Sequence, residues 1–491
     1  MDNYFKIKIK KMGVWVLRPA DSECWHSEHT ARYFKKHFGF GKGTLIIQTN
    51  TDGLQHSYFP EHYFKRQFSF IKKTNRRNYL AFEKIIKTFY PLRQKALQEV
   101  PRINPKNIRK ISDMDLINIY RKNRDWVHRV TIYDQFGWTG GDYWNPVMEK
   151  ILNKYGLKKG NQEYYRILFT LTKPEEISTT LREKRETLEQ VIKIKNKRQT
   201  INKASVLLVK NFGWMPVFAF GTPWDGRYYE KQLRELLKRD LKGLKKDYES
   251  LKNYTKIRNI ALKEVVRKYK INKKDLQSFI DFGLTLDCQN EAEYLVSLTG
   301  FYLLPIYKEI SRRLYLSLNQ IRTLYEDEIA AALAGKLKPQ KVLAERKKIC
   351  GWGFNREMTK RYNFTPSFAQ KLFDHLNKTA ANLHGQDEAK GLCANLGQKK
   401  GRAKILLTPA DNNKVKEGDI LIAHATTVDY LPAMKRAAAF VTEVGGLTCH
   451  AAVVAREFNV PAIVCLKNAT KNFKDGEIVE VDADKGIVRK L

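Results

Sequence analysis

One histidine, His450, lies between a pair of glycines and an alanine-rich segment near the carboxyl end of the chain. Gly445 and Gly446 precede it, and glycine allows the positive φ values and the close backbone approach that a bound ligand requires. We expect a helix to begin at His450, where unpaired N–H groups and the positive end of the helix dipole favour an anion. A neutral imidazole is a competent nucleophile near pH 7. The pattern therefore predicts that His450 takes up a phosphoryl group, and a ring packed into the interior with no open side would contradict this prediction.

Two polar neighbours of His450 can assist this chemistry. Thr448 can cap the helix or hydrogen-bond the imidazole, and the cap is the preferred interpretation. Arg456 points away from the helix face that carries His450, because residues three, four and seven positions later share that face. Two roles stay open for Arg456: pairing with a neighbouring acid, or closing over a bound anion. We assign the phosphate-binding motif to Gly445, Gly446, Thr448, Cys449 and Arg456.

Five further blocks surround this motif in a fixed order, at residues 418–423, 426–434, 440–443, 460–464 and 475–482. Together with the motif they make the chain from about Gly391 to Leu491 resemble the phosphohistidine (swivelling) domain of phosphoenolpyruvate-utilising enzymes. This family includes phosphoenolpyruvate synthase, pyruvate phosphate dikinase and rifampicin phosphotransferase. The resemblance implies a layered β/β/α domain whose histidine carries a phosphoryl group between two distant sites, a role that falls on His450. Val428 and Cys465 depart from the family pattern, away from the nucleophile, and Cys449 matches the synthase branch.

Length and periodicity predict a multidomain α+β protein. With 491 residues and 43% hydrophobic content, the chain has material for about three domains. Strand-like runs at 14–17 and 44–48 and a helix-like stretch at 29–38 predict a small α/β cap. We expect the domains to be a cap at 1–60, a mostly helical, acceptor-binding region at 61–378, a hinge linker at 379–400 and the phosphohistidine domain at 401–491.

Helical periodicity dominates the middle region. A stripe with alternating spacings of four and three predicts one long helix over 237–251. Aromatic and glycine-rich segments at 136–144 and 212–226 are expected to interrupt the helices and to form a pocket for the acceptor. The candidate acceptor residues are Trp138, Asp142, Trp214 and Trp224. The segment from Ile321 to Arg346 resembles the helical region that precedes the phosphohistidine domain in the rifampicin phosphotransferase type.

Members of the resembled family charge the histidine from ATP through an ATP-grasp domain. Residues 1–400 contain no G-x-x-x-x-G-K-[ST] loop and no stretch that resembles the grasp fold, and the phosphoenolpyruvate-binding barrel is not recognised either. We therefore expect no cofactor bound by this chain, with ATP and Mg supplied through a separate ATP-grasp protein, and a small-molecule or pyruvate-like acceptor. Two alternatives stay open: a non-catalytic polyanion-binding protein with a relic phosphohistidine fold, and a regulator. The intact motif at His450 favours the carrier.

Composition limits the remaining choices. The net charge of +38 suits nucleic acid or another polyanion, but the Lys and Arg residues mostly follow helical periodicity, which favours solvated helix faces. The six cysteines lack C-x-x-C spacing, and no apolar run is long enough for a membrane span, so we expect a cytoplasmic protein without a disulfide framework. Cys24, His26 and His29 have metal-ligand types, but we interpret them as a polar surface loop and predict no metal site.

Overall fold

The computed structural model of the chain describes a subset of its residues. The described ranges are 9–15, 28–38, 45–49, 54–60, 65–72, 87–218, 221–347, 349–354, 361–377, 388–447 and 449–491.

Helices make up most of the described middle of the chain. In chain order they are α1 (Glu28–Phe38), α2 (65–72), α3 (Phe89–Glu99), α4 (Asp113–Lys154), α5 (Gln162–Leu171), α6 (Thr179–Lys195), α7 (Ile201–Phe212), α8 (Gly226–Leu237), α9 (Leu241–Lys252), α10 (Tyr254–Tyr269), α11 (Lys273–Leu314), α12 (Leu318–Thr323), α13 (Glu326–Leu333), α14 (Pro339–Glu345), α15 (Pro366–Asn377), α16 (Leu431–Met434), α17 (His450–Phe458) and α18 (Ala469–Asn472).

Strands lie near both ends of the chain. They are β1 (Ile9–Trp15), β2 (Leu45–Thr49), β3 (Leu54–Pro60), β4 (Ile349–Phe354), β5 (Arg361–Asn363), β6 (Glu388–Lys390), β7 (Leu392–Asn395), β8 (Gln398–Leu406), β9 (Ile420–Ala423), β10 (Ala439–Thr442), β11 (Ala462–Val464), β12 (Ile478–Asp482) and β13 (Ile487–Lys490). The predicted α+β class, with a helical middle and a C-terminal layered sheet, is confirmed.

The chain divides into two compact units. The first consists of Met1–Thr139 and Leu298–Gly385, and the second of Gly140–Ser297 and Gln386–Leu491. In the first unit an antiparallel sheet has the order β1-β3-β2-β4-β5, with Ile46 opposite Trp352. This differs from the predicted division at residue 60, because β4 and β5 complete the sheet that β1 to β3 begin.

The second unit contains an eight-stranded sheet of order β6-β13-β12-β8-β9-β10-β11-β7. Its centre is parallel, from β8 through β9 and β10 to β11. The strands β9, β10 and β11 are buried along their whole length, as expected for parallel strands covered on both faces. The strands β6 and β7 belong to this sheet, so its boundary differs from the predicted hinge at 379–400; residues 378–387 lie outside the described part.

Two helix predictions are wrong. The helix α4 runs unbroken through 136–144, although this segment is rich in glycine and Pro146 follows it. The predicted helix at 237–251 is instead divided between α8 and α9. Asp240 causes this break, because its side chain accepts a hydrogen bond from the Gly243 N–H at 2.7 Å and so caps a new helix. The predicted non-helical segment between α7 and α8 is confirmed.

Candidate phosphohistidine site

The sheet of the second unit places His450 by a strand–helix–strand connection. The chain leaves β10, turns through residues 443–449, forms α17 and returns as β11, which pairs in parallel with β10. His450 is the first residue of α17, as predicted. It therefore lies beyond the carboxyl end of a central parallel strand and at a helix N-terminus, a position where folds of this type commonly bind anions.

The turn before α17 depends on Gly445. This residue has φ of +119°, and a Cβ atom there would lie 2.8 Å from the Sγ atom of Cys449. Any side chain at this position would therefore be strained and crowded. Gly446 accepts a hydrogen bond from the Cys449 N–H at 3.1 Å, which closes the turn. Thr448 lies outside the described residues.

The imidazole of His450 is enclosed, with only 4% of the residue exposed. Its Nδ1 atom lies 3.2 Å from the hydroxyl of Thr426, which follows β9. Its Nε2 atom is buried and has no hydrogen-bond partner among the described residues. Burial lowers the pKa of His450 to about 3, so the ring is neutral at pH 7 and Nε2 can carry a free lone pair.

The expected open side on the ring is not present in this conformation. The turn is covered by α4, since a Cβ atom on Gly446 would lie 3.3 Å from the Nδ2 atom of Asn145. Leu447, the next residue, is also buried. The ring is therefore neutral and its Nε2 atom has no partner among the described residues, but a reactant cannot reach that atom in this conformation.

Burial raises the pKa of the Cys449 thiol to about 11, which favours the protonated, weakly nucleophilic form. Arg456 donates from Nη2 to the carbonyl oxygen of Leu447 at 2.9 Å, and its guanidinium carbon lies 5.2 Å from the ring centroid of Phe169. It thus contacts the turn that carries His450 from the far end of α17. The sequence suggested an acid or an anion as its partner, whereas the structure gives it a backbone carbonyl and an aromatic ring.

The predicted acceptor residues are only partly brought together. The backbone N–H of Trp224 donates to the carbonyl oxygen of Gly213 at 2.9 Å, which brings Trp224 close to Trp214. Both tryptophan side chains are buried. The ring of Trp224 stacks on Tyr228 at 4.5 Å, and Lys435 Nζ lies 4.6 Å from its centroid, so it packs rather than lining an open pocket. The side chains of the other two candidates, Trp138 and Asp142 in α4, lie outside the described part.

Sequence reasoning missed two contacts of the second unit, the first of which touches His450 directly. One is the contact of Thr426 with His450, which the position of this threonine directly after a predicted strand could have indicated. The other is the ion pair between Lys435 and Glu183, 2.9 Å long, which joins the end of α16 to α6 and which no local pattern indicates. Among the described residues no group of three His, Cys, Asp or Glu side chains could hold a metal ion. Cys24 and His26 are not described, and His29 is described only by its backbone.

Comparison with known proteins identifies the C-terminal region. Residues 415–486 match the family model "PEP-utilising enzyme, mobile domain". A probable phosphoenolpyruvate synthase of Archaeoglobus fulgidus is 56% identical over 111 residues, which cover 23% of this chain and 15% of that protein. The phosphoenolpyruvate synthase of Pyrococcus furiosus is 50% identical over 101 residues, covering 21% of this chain and 12% of that protein. The predicted resemblance is confirmed, since residues 415–486 are similar to the mobile domain of phosphoenolpyruvate-utilising enzymes.

The chain spans only 12% to 15% of the length of these two relatives. A solved structure, the holo-form of aconitase X from Thermococcus kodakaraensis, covers 22% of this chain and 99% of its own, with 18% identity and a TM-score of 0.17, which is too low to inform the fold. Among the described helices, none combines the length and the apolarity that crossing a membrane requires.

Proposed function

We propose that this chain is the carrier component of a phosphotransferase. In this proposal His450 takes up a phosphoryl group from a nucleotide that a separate ATP-grasp protein binds with Mg, and passes it to a small-molecule acceptor. The single observation that carries the proposal is the neutral imidazole at the start of α17, with one nitrogen anchored and the other without a partner among the described residues. The matching mobile domain and the names of its relatives support the same class of chemistry.

The proposed step uses Nε2 as the nucleophile. With the Nδ1 proton donated to the Thr426 hydroxyl, the Nε2 lone pair forms the N–P bond while the bond from phosphorus to the leaving oxygen of the donor breaks. The electron pair of that bond leaves with the donor oxygen. In the second step an acceptor oxygen attacks the same phosphorus atom and the N–P electron pair returns to Nε2. An enolate oxygen attacks without losing a proton, whereas a hydroxyl releases its proton to solvent. Unpaired N–H groups at the start of α17 stabilise the phosphate in between.

Both steps require movement, because the ring is enclosed. The turn at 443–449 must separate from Asn145 before a donor can reach Nε2, and the Lys435–Glu183 ion pair opposes such a separation. A carrier that opens and closes in this way presents its phosphate at high effective concentration to each site in turn. The enclosed conformation also protects a labile N–P bond from water.

The test is phosphorylation with labelled ATP or phosphoenolpyruvate, with and without the products of neighbouring genes. We expect acid-labile, base-stable label in the wild type and none in His450→Leu. His375→Leu is the control, since His375 is an exposed histidine of α15, outside the mobile domain. Label that persists in His450→Leu would exclude the carrier role.

A further inference from the structure

A cavity of about 480 Å³ lies beside α17 in the second unit. We call it the α17 cavity. Its wall combines Val453, Arg456 and Glu457 of α17 with side chains from α5, α10, α11 and the end of β7. Its volume falls in the range of small-molecule sites. Val453 is one helical turn from His450 and lies on the same face of α17, so the cavity begins about 5 Å along the helix from the histidine.

Three cations of the cavity wall lack a neutralising partner. Lys173, Arg258 and Arg456 form no ion pair within 4.0 Å among the described residues, although Glu176, Asp287 and Glu457 line the same cavity. Lys173 is exposed at the edge of the wall. Arg258 donates instead to the Lys173 carbonyl at 3.1 Å, and the Lys173 ammonium lies 4.8 Å from the ring centroid of Tyr254. Desolvation and the adjacent charge of Arg258 both lower the pKa of Lys173. The adjacent charges of Lys173 and Arg258 favour an anion on their side of this mixed-charge wall.

The interior of the cavity offers complementary groups for the rest of a ligand. Phe169 and Tyr254 provide aromatic surface. Asn290 is only 4% exposed, and its Oδ1 atom has no partner among the described residues. Glu457 also has a buried oxygen without a partner, and burial raises the pKa of this carboxyl to about 7. The protonated form of this carboxyl can donate a hydrogen bond to an anion.

We propose that the α17 cavity binds a small organic anion, a carboxylate or phosphate on an aromatic or apolar body, and that its occupancy holds α17 in the enclosed conformation. The ligand would contact α17 on one side and α5 and α10 on the other. A movement of α17 that exposes His450 would separate the walls of the cavity. Ligand binding and exposure of His450 therefore exclude each other. The proposed effect of the ligand on α17 rests on the proposed function, whereas the proposed binding site does not.

Calorimetry with two probes tests the site. Phenyl phosphate and 3-phenylpropionate distinguish the two anionic groups, and 3-phenylpropan-1-ol is the neutral control. We expect at least one anion to bind the wild type, and to bind about tenfold more weakly to Lys173→Gln, because one charge-assisted contact is lost. Lys256→Gln is the matched control, since Lys256 is exposed on α10 and does not line the cavity. Failure of both anions, equal binding of the alcohol, or equal weakening in both variants would overturn the site.

Hydrogen exchange tests the coupling without depending on phosphorylation. We expect the bound anion to slow exchange of the α17 amides in the wild type, and to have less effect in Lys173→Gln at the same concentration. Unchanged exchange with the anion bound would overturn the coupling. Binding by the wild type together with label that persists in His450→Leu would support the binding site while contradicting the carrier role of His450.

Discussion

Two buried histidines, one in each compact unit, differ in how their ring nitrogens are used. His128 is 1% exposed, and its ring lies 2.9 Å from the Thr30 hydroxyl on one side and 3.0 Å from Glu326 on the other. His450 is buried as well, but among the described residues only its Nδ1 atom has a partner, Thr426. A ring with both nitrogens bonded has no lone pair left for attack. Burial alone therefore does not distinguish a structural histidine from a reactive one, whereas the unpartnered nitrogen does.

The same substitution at both histidines is the strongest test of the difference between His450 and His128. We expect His450→Leu to abolish labelling while lowering the free energy of unfolding by only about 1 kcal/mol, because the Nδ1–Thr426 hydrogen bond is lost and Nε2 has none among the described residues. We expect His128→Leu to keep labelling but to lower stability by about 2–4 kcal/mol, because Glu326 then loses a buried partner. Urea unfolding and phosphate labelling measure the two effects. Loss of labelling in a folded His128→Leu protein would contradict the comparison.

The enclosure of His450 gives the next largest effect. Lys435 is paired with Glu183, which is only 3% exposed, so Lys435→Met leaves a buried carboxylate without its cation. We expect the free energy of unfolding to fall by about 3 kcal/mol and His450 to react faster with diethyl pyrocarbonate. Adding Glu183→Gln removes the buried charge and should restore part of the stability. Unchanged reactivity of His450 in a destabilised Lys435→Met protein would show that this ion pair does not control access.

How far the sequence predicts the structure differs between the two regions. Around His450 the prediction is accurate, because the strands at 420–423 and 439–442 and the helix starting at His450 follow from local patterns that the structure reproduces. The contact between Gly446 and Asn145 and the Lys435–Glu183 ion pair were not predicted, since the residues of each pair are far apart in sequence. Contacts of this kind leave no periodic signal.

In the N-terminal region the local elements were predicted, but the pairing of their strands was not. The strand at 44–48 and the helix at 29–38 were recognised, but their sheet was assigned to a separate cap. Pairing of Ile46 with Trp352 spans some three hundred residues, and a single sequence offers no means to find that partner. Local elements were therefore predictable in both regions, whereas the non-local pairing that defines each unit was not.

The turn before His450 can be tested at a single atom. Gly445→Ala adds a methyl group at φ of +119° and within 2.8 Å of Cys449, so we expect both backbone strain and displacement of the turn. The expected loss is about 2 kcal/mol of unfolding free energy, with slower labelling of His450. Gly476→Ala is the control, since Gly476 has φ of +90° but no atom within 4 Å of the added methyl group. Equal losses in urea unfolding would mean that crowding at Cys449 has no role.

The smallest expected effect is the part of the pH dependence of unfolding free energy that is caused by protonation of His450. Its pKa is about 3 in the folded protein, against about 6.5 in an unfolded chain. Between these values the unfolded state binds a proton that the folded state does not, so stability is full above about pH 6.5 and is lost as the pH falls. From pH 7 to pH 5 the wild type should lose about 2 kcal/mol more than His450→Leu. Asp429 and Glu457, whose pKa values burial raises to about 7, act in both proteins and cancel in the difference. Parallel urea-unfolding curves for the two proteins across this range would mean that the ring is hydrated in solution, and the enclosed nitrogen would then no longer distinguish His450 from His128.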